Sequence, residues 1–518
     1  MKKIYTTFYL ILFAVVGFAQ GVRIDISILQ LVNQEVYLAG DLNGKNHSKD
    51  TTKLDPKGVG AQGFRIDISI PQLANQEVYL AGYLNGKIYS KDTTKLDPKG
   101  VGFFSDKEKL DEGLYMIYLH ENHVPYEFLI GADDQEFAVT IKDTTSQAII
   151  DNFAVVGASQ TEKYLAVGRY ISDAQKKQKH LVAQLKDAKK GSKEEENLKK
   201  ELSNLNNQVL TYQKNLIESN GNNMLAVFLR AMQQPTLPDS LAKGDFSDEN
   251  FQRKRYMYAK AHFFDNINVA DVRSWRINVL HKKLTDFLTK WLPQHPDTIT
   301  QEAIKLIEKT ESDSMTFSLM TNFMISHAVS SKMMGMDRLL VELSDRYYST
   351  GKAFWADSTI LSNVLKEANK SRYNLIGMQA RNMPLVKHDG TPFHLYDIKS
   401  KYTLLYFYEP SCGHCKVATP KLYNNVYQQY KNKGLEVVAV YLMTDKKEWD
   451  DFLNEHKMTQ WINAWDPNRD SYYWQFFDTS TTPSEYLLDA NKKIIAKRFG
   501  VESLGRIIDM FDEMEKEK

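Results

Sequence analysis

Residues 402–416 read YTLLYFYEPSCGHCK, and this stretch decides how the carboxy-terminal part of the chain folds. Tyr402 to Tyr408 is a near-continuous apolar run, the pattern of a strand buried on both faces of a sheet. Glu409-Pro410-Ser411 interrupts it, and a helical segment follows from Cys412 to about Lys433. Cys412 is therefore expected where a buried strand gives way to a helix. The first turn of a helix leaves backbone N–H groups unpaired and carries the positive end of the macrodipole. Both favour a thiolate, the nucleophilic form of cysteine. Cys415, three positions on and expected to be less exposed, could attack a mixed disulfide formed on Cys412. His414 between them can stabilise the thiolate and so the reduced form, which makes the pair more oxidising than one with an apolar spacer.

Cys412 and Cys415 are the only cysteines among 518 residues. A disulfide between them would close a four-residue loop, the case in which loop closure stabilises least. A structural staple is the weak reading and reactivity the strong one. Zinc would want a second pair of soft ligands, and the chain has no further cysteine. Haem attachment needs His directly after the second cysteine, where Lys416 stands. A peroxidase reading would want Thr where Glu409 stands. No cofactor and no metal site is expected.

The order continues as an α/β pattern. Leu435 to Leu442 reads as a second buried strand and Lys446 to His456 as a helix. Ser484 to Leu488 and Lys493 to Lys497 read as a hairpin through Asp489-Ala490-Asn491, and Val501 to Glu515 as a closing amphipathic helix. This order, the CxxC pair and Thr482-Pro483 before the hairpin resemble the thioredoxin superfamily. More narrowly they resemble its exported TlpA/ResA-like thiol–disulfide oxidoreductases of the multidomain Bacteroidetes type. The resemblance covers about Tyr373 to Lys518.

The resemblance implies catalytic roles for Cys412 and Cys415, and tuning or substrate-orienting roles for Gly413, His414, Thr482 and Pro483. It implies a cis peptide at Pro483, with the Thr482 backbone available to an incoming peptide strand. Two departures stand out. The family's buried acid, six residues before the first cysteine, is Tyr406 here. The glutamate that the ResA-like group often carries three residues after the second cysteine is Ala418. Deprotonation of Cys415 then needs another route, through water, Glu409 or Glu485.

Ahead of this domain lies a tandem repeat. RIDISILQLVNQEVYLAGDLNGKNHSKDTTKLDPKGVG from Arg23 returns from Arg65 with five differences. Identity this high is unlike a solenoid, whose copies diverge around a few structural positions. Each copy alternates as strands do and carries an Asn-Gly turn, at Asn43-Gly44 in the first. Asp41, Asn46 and His47 of the first copy stand where the second has Tyr83, Ile88 and Tyr89, so the second is expected in the core and the first at the periphery. Strands follow at Leu114–Leu119, Tyr126–Ile130 and Phe137–Ile141. From Thr161 the period becomes helical: Tyr164, Val167, Ile171, Ala174, Leu181, Leu185 and Ala188, then Leu198, Leu202, Leu205, Val209, Tyr212 and Leu216. Two such helices around Gly191-Ser192 make an antiparallel hairpin whose tip is the charge run Lys186–Lys200. Further helices reach about Ser371, with Gly351 marking a helix end.

The expected architecture is multidomain. It comprises a leader at 1–19, an extra repeat copy at 20–62 and an all-β domain at 63–158. A helical domain at 159–372 and a thioredoxin-like domain at 373–518 follow. The leader is read from Lys2, Lys3 and the short apolar run Phe8–Phe18, with cleavage after about Ala19. It directs the chain to the periplasm, not integral to the membrane after cleavage. A formal net charge of +1 gives no argument for nucleic acid. The expected partners are protein thiols and disulfides and an unidentified redox partner. Two other functions stay open: a binding or scaffold protein whose front domains hold a partner, and a copper chaperone using the CxxC pair.

Overall fold

The computed structural model describes residues 63–118, 125–144, 149–233 and 235–516. The leader at 1–19, the first repeat copy at 23–60 with Asn43-Gly44, and Leu119 lie outside the described residues. Two compact units are present. One holds the residues up to Trp291 together with Glu308–Leu319. The other holds Leu292–Ile307 and the residues from Met320 onward.

In the first unit the second repeat copy supplies three strands: β1 (Phe64–Ser69), β2 (Glu77–Leu84) and β3 (Lys87–Lys95). Alternation does what a half-buried strand requires: Ile66 and Ile68 are buried while Asp67 faces solvent. The turn between β2 and β3 is Asn85-Gly86, both at positive φ (51° and 74°), as a two-residue hairpin turn demands. Gly86 is also fixed by space, since a Cβ there would fall 2.3 Å from the His281 ring. Tyr83 is buried and its hydroxyl donates to Glu127 Oε1 at 2.7 Å. The first copy has Asp41 at the matching position, and an ionised carboxylate could not make that bond.

Five more strands complete two four-stranded sheets. They are β4 (Val101–Asp106), β5 (Gly113–Tyr118), β6 (Tyr126–Ile130), β7 (Glu136–Ile141) and β8 (Phe153–Val156). The sheet orders are β4-β1-β7-β8 and β3-β2-β5-β6. The long helices α1 (Ser159–Asp187) and α2 (Lys193–Asn220) then form the hairpin read from the heptads. Ser192 caps α2 by accepting from the Glu195 N–H, which satisfies one of the donors a helix start leaves open. Tyr164, Val167, Ile171 and Ala174 of α1 are buried, as are Leu198 and Val209 of α2. The lysines at the tip and Glu194 and Glu196 are exposed, while Glu195 is half-buried.

In the second unit, helices α3 (Asp337–Leu343) and α4 (Ser358–Ser371) precede a seven-stranded sheet. Its strands are β9 (Pro384–Lys387), β10 (Pro392–His394), β11 (Tyr402–Tyr408), β12 (Leu435–Tyr441), β13 (Ile462–Trp465), β14 (Ser484–Leu488) and β15 (Ile494–Lys497). The order is β10-β9-β13-β12-β11-β14-β15, with β11, β12 and β13 parallel and the β14–β15 hairpin antiparallel. Every residue of β11 is buried, as its near-continuous apolar run requires. Successive β11 residues feed two cores. Tyr402, Leu404, Tyr406 and Tyr408 share one with Cys415, Trp449 and Leu504, and Leu405 and Phe407 share the other with Leu385, Leu395 and Tyr486.

Helix α5 (Gly413–Lys421) leaves β11, α6 (Lys446–Glu455) links β12 to β13, and α7 (Leu504–Lys516) ends the unit. Pro420 lies inside α5 and lacks a backbone donor, and the backbone widens into a π-turn at Leu422–Tyr427 just after it. Strands β9, β10 and β13 were not expected from the sequence. They are three or four residues long, too short to display a period. Lys497 is buried on β15, where its Nζ donates to Asn374 Oδ1 at 2.6 Å and pairs with Asp337 of α3.

Candidate active site

The carboxyl ends of β11 and β12 and the start of β14 meet at one end of the sheet. Cys412 occupies the N-cap position of α5, with extended backbone (φ −73°, ψ 120°), and its carbonyl accepts the first helical bond, from the Lys416 N–H at 3.2 Å. Its own N–H donates to the Glu409 carbonyl at 3.1 Å, which closes the turn leaving β11. Cys415 falls one turn later and is fully buried, while Cys412 is half-buried; both are free thiols. The two sulfurs lie within hydrogen-bond reach of each other.

Across from them, the Thr482–Pro483 peptide is cis, and the Cys412 thiol donates to the Thr482 carbonyl at 3.1 Å. The geometry thus brings Cys412, Cys415, Thr482 and Pro483 together. His414 sits at the first turn of α5, exposed to solvent. Gly413 is exposed too, and a Cβ there would meet nothing within 4 Å, so packing does not require glycine at that position.

The two thiols are driven apart in acidity. Burial pushes Cys412 upward. Hydrogen bonds from the Thr482 side chain, the Cys415 N–H and thiol, and the His414 N–H outweigh it and hold Cys412 below the ordinary thiol value. Burial dominates at Cys415 and pushes it up to about 12. The divergence makes Cys412 the more readily ionised of the two sulfurs.

Beneath Cys415 the sheet presents hydroxyls. Tyr406 bonds to Thr419 at 2.9 Å, both fully buried, and Thr419 stands one helical turn after Cys415. Tyr408 accepts from Trp449 Nε1 at 2.8 Å. Thr419 was missed in the sequence; the signal was its i+4 spacing from Cys415, which puts both on one face of α5. Of the two carboxylates considered for Cys415, Glu409 is partly exposed in the loop and Glu485 is 6 % exposed on β14. Ala418 is half-buried and packs against the Cys415 core. Among the described residues no group of three or more His, Cys, Asp and Glu is placed to hold a metal ion. No described helix is long and apolar enough to cross a membrane.

A β-α-β sheet with a dithiol at a helix start opposite a cis-proline defines the class. Residues 400–494 match the family described as thioredoxin-like, and the carboxy-terminal part of the chain is a thioredoxin-like domain. The chain is similar to the thiol-disulfide oxidoreductase ResA of Bacillus cereus, 23% identical over 125 residues that make 24% of this chain and 70% of that protein. It is similar to a structure from Cytophaga hutchinsonii described as a domain of a possible thiol-disulfide isomerase. The identity there is 36%, over 28% of this chain and 97% of that one, with a TM-score of 0.27. A thioredoxin-like protein from Bacteroides caccae is 20% identical over 54% of this chain and 98% of its own, with a TM-score of 0.42. The thioredoxin-like fold and the match to ResA, a thiol-disulfide oxidoreductase, are consistent with oxidoreductase activity.

Proposed function

We propose that this chain exchanges disulfides with partner proteins through Cys412 and Cys415, in the periplasm. The observation that carries the reading is the opposed acidity of two adjacent sulfurs, one half-exposed at a helix start and one buried behind it. The Cys412 thiolate attacks one sulfur of a partner disulfide. A Cys412–partner bond forms and the partner's other sulfur leaves as a thiolate, protonated by solvent. Cys415 then attacks Cys412; the Cys412–partner bond breaks, the second partner thiolate departs, and a Cys412–Cys415 disulfide remains. The partner gains two electrons and the pair loses them. The reverse sequence oxidises a partner dithiol.

Thr482 and Pro483 would flank the incoming chain, with the Thr482 carbonyl and side chain already directed at the Cys412 sulfur. His414 would add to the stability of the thiolate from the exposed side. The periplasmic assignment rests on the leader read at 1–19.

The test replaces Cys415 with Ser in the full chain and expresses it in a cell that exports it. Mixed disulfides on Cys412, released by reductant and absent from a Cys412→Ser control, support the reading. A chain that reduces no protein disulfide and traps no partner on Cys412 contradicts it.

A further inference from the structure

Resolution by Cys415 needs somewhere for its proton to go, and a thiol held up at about 12 gives it up poorly to water. Glu485 stands on the face of the sheet beneath it. Strands β11 and β14 pair antiparallel with Tyr406 directly opposite Glu485. Directly opposed residues lie on the same face of a sheet, their Cβ atoms about 4.5–5.5 Å apart. That face is the one Cys415 packs on: Tyr406, Leu487 and Cys415 share a core, whereas Tyr486 and Leu488 belong to the opposite one. Glu485 is 6 % exposed and forms no ion pair among the described residues.

From β11, Tyr406 faces Glu485 and feels both Cys415 and that carboxyl. From the turn before α7, Glu502 faces it and repels its charge, while Glu502 itself is held at 2.8 Å by Lys421 of α5. The Gly500 N–H and its own backbone N–H donate to it. The Arg498 N–H is spent on the Glu485 carbonyl, and the Arg498 side chain on Asp478. A buried carboxylate without a cation is costly. Burial and the Glu502 charge raise this one to about 7, where it exchanges a proton near neutrality.

We infer that Glu485 holds the proton that Cys415 gives up during resolution, acting from β14 through the Tyr406–Thr419 hydroxyl pair. This rests on the dithiol reading above. As the Cys415 sulfur bonds to Cys412 and the partner sulfur leaves with its electron pair, the Cys415 proton enters the hydroxyl pair. A proton is delivered to the Glu485 carboxylate, and each hydroxyl ends with as many protons as it began with. In the reverse direction the Glu485 carboxyl returns the proton to Cys415. Glu485 is thus a positioning residue for the proton.

The experiment loads Cys412 of the full chain with a thionitrobenzoate leaving group and follows its release by Cys415 as a function of pH. In the wild-type chain the release rate rises with an inflection near pH 7. In E485Q that inflection disappears and release at pH 7.5 slows by a factor on the order of 100, while the alkylation rate of Cys412 stays unchanged. E485D keeps an inflection, moved along the pH axis. Should E485Q fail to fold, Y406F, which keeps the carboxyl and cuts the path, slows release in the same way. Release by wild type and E485Q with one pH profile, or E485D and E485Q behaving alike, overturns the inference and leaves the exchange activity standing. A wild-type chain from which no thionitrobenzoate is released overturns both.

Discussion

The Cys412 thiol donates to the Thr482 carbonyl at 3.1 Å, a bond between residues from two different strand ends that joins the helix start to the cis-proline turn. The carbonyl holds the thiol proton, and the Thr482 side chain favours the thiolate once that proton has gone. One residue therefore serves both protonation states. Thr482→Val keeps the carbonyl and removes the hydroxyl. Its expected effect is a rise in the Cys412 midpoint of under about one pH unit, the worth of one hydrogen bond. Iodoacetamide kinetics against pH measure it, and an unmoved or lowered midpoint speaks against the hydroxyl's part.

The buried Tyr406–Thr419 pair makes a second prediction. Tyr406→Phe leaves the Thr419 hydroxyl unpaired, and Thr419→Val leaves the Tyr406 hydroxyl unpaired; each costs about 1–3 kcal/mol. The double variant loses less than the sum, because removing both partners strands neither. Urea unfolding of the reduced protein gives the cycle. Strict additivity would mean the two hydroxyls do not interact.

Glu485 makes the reduced protein's stability depend on pH near neutrality. Its carboxyl keeps a proton to about pH 7 when folded, against an ordinary value of 4.5. Its contribution is complete below pH 4.5 and is lost as pH rises through 7, about 3 kcal/mol at most. E485Q cannot ionise, so its stability between pH 5 and 8 is flatter than that of the wild type and higher at pH 8. Denaturation midpoints at the two pH values decide this, and parallel curves would count against it.

The fold of the second unit was legible because its strands are extreme. Tyr402–Tyr408 and Leu435–Tyr441 are apolar but for Thr403 and Glu436, and a run of that length bounded by breakers has few other uses. The two cysteines were legible because their number and spacing left little else. Strands β9, β10 and β13 were not, for they gain their place from neighbours and not from their own pattern. The proton side of the site was half legible. Tyr406 could be seen as a departure and Glu485 as a candidate, but only the β11–β14 register puts them opposite each other. A register over this distance is set by the packing of both faces, which no local stretch encodes. In the first unit the Asn-Gly turn and the alternating isoleucines carried the reading, while β8 is too short and too close to α1 to declare itself.

The most direct measurement of the central claim is the pH dependence of alkylation at each sulfur, resolved by mass spectrometry on the reduced full chain. The account predicts that Cys412 reacts with a midpoint below the ordinary thiol value, and that Cys415 stays unreactive until the pH approaches about 12. Two cysteines that titrate together near the ordinary value, or a Cys415 that reacts first, would contradict it.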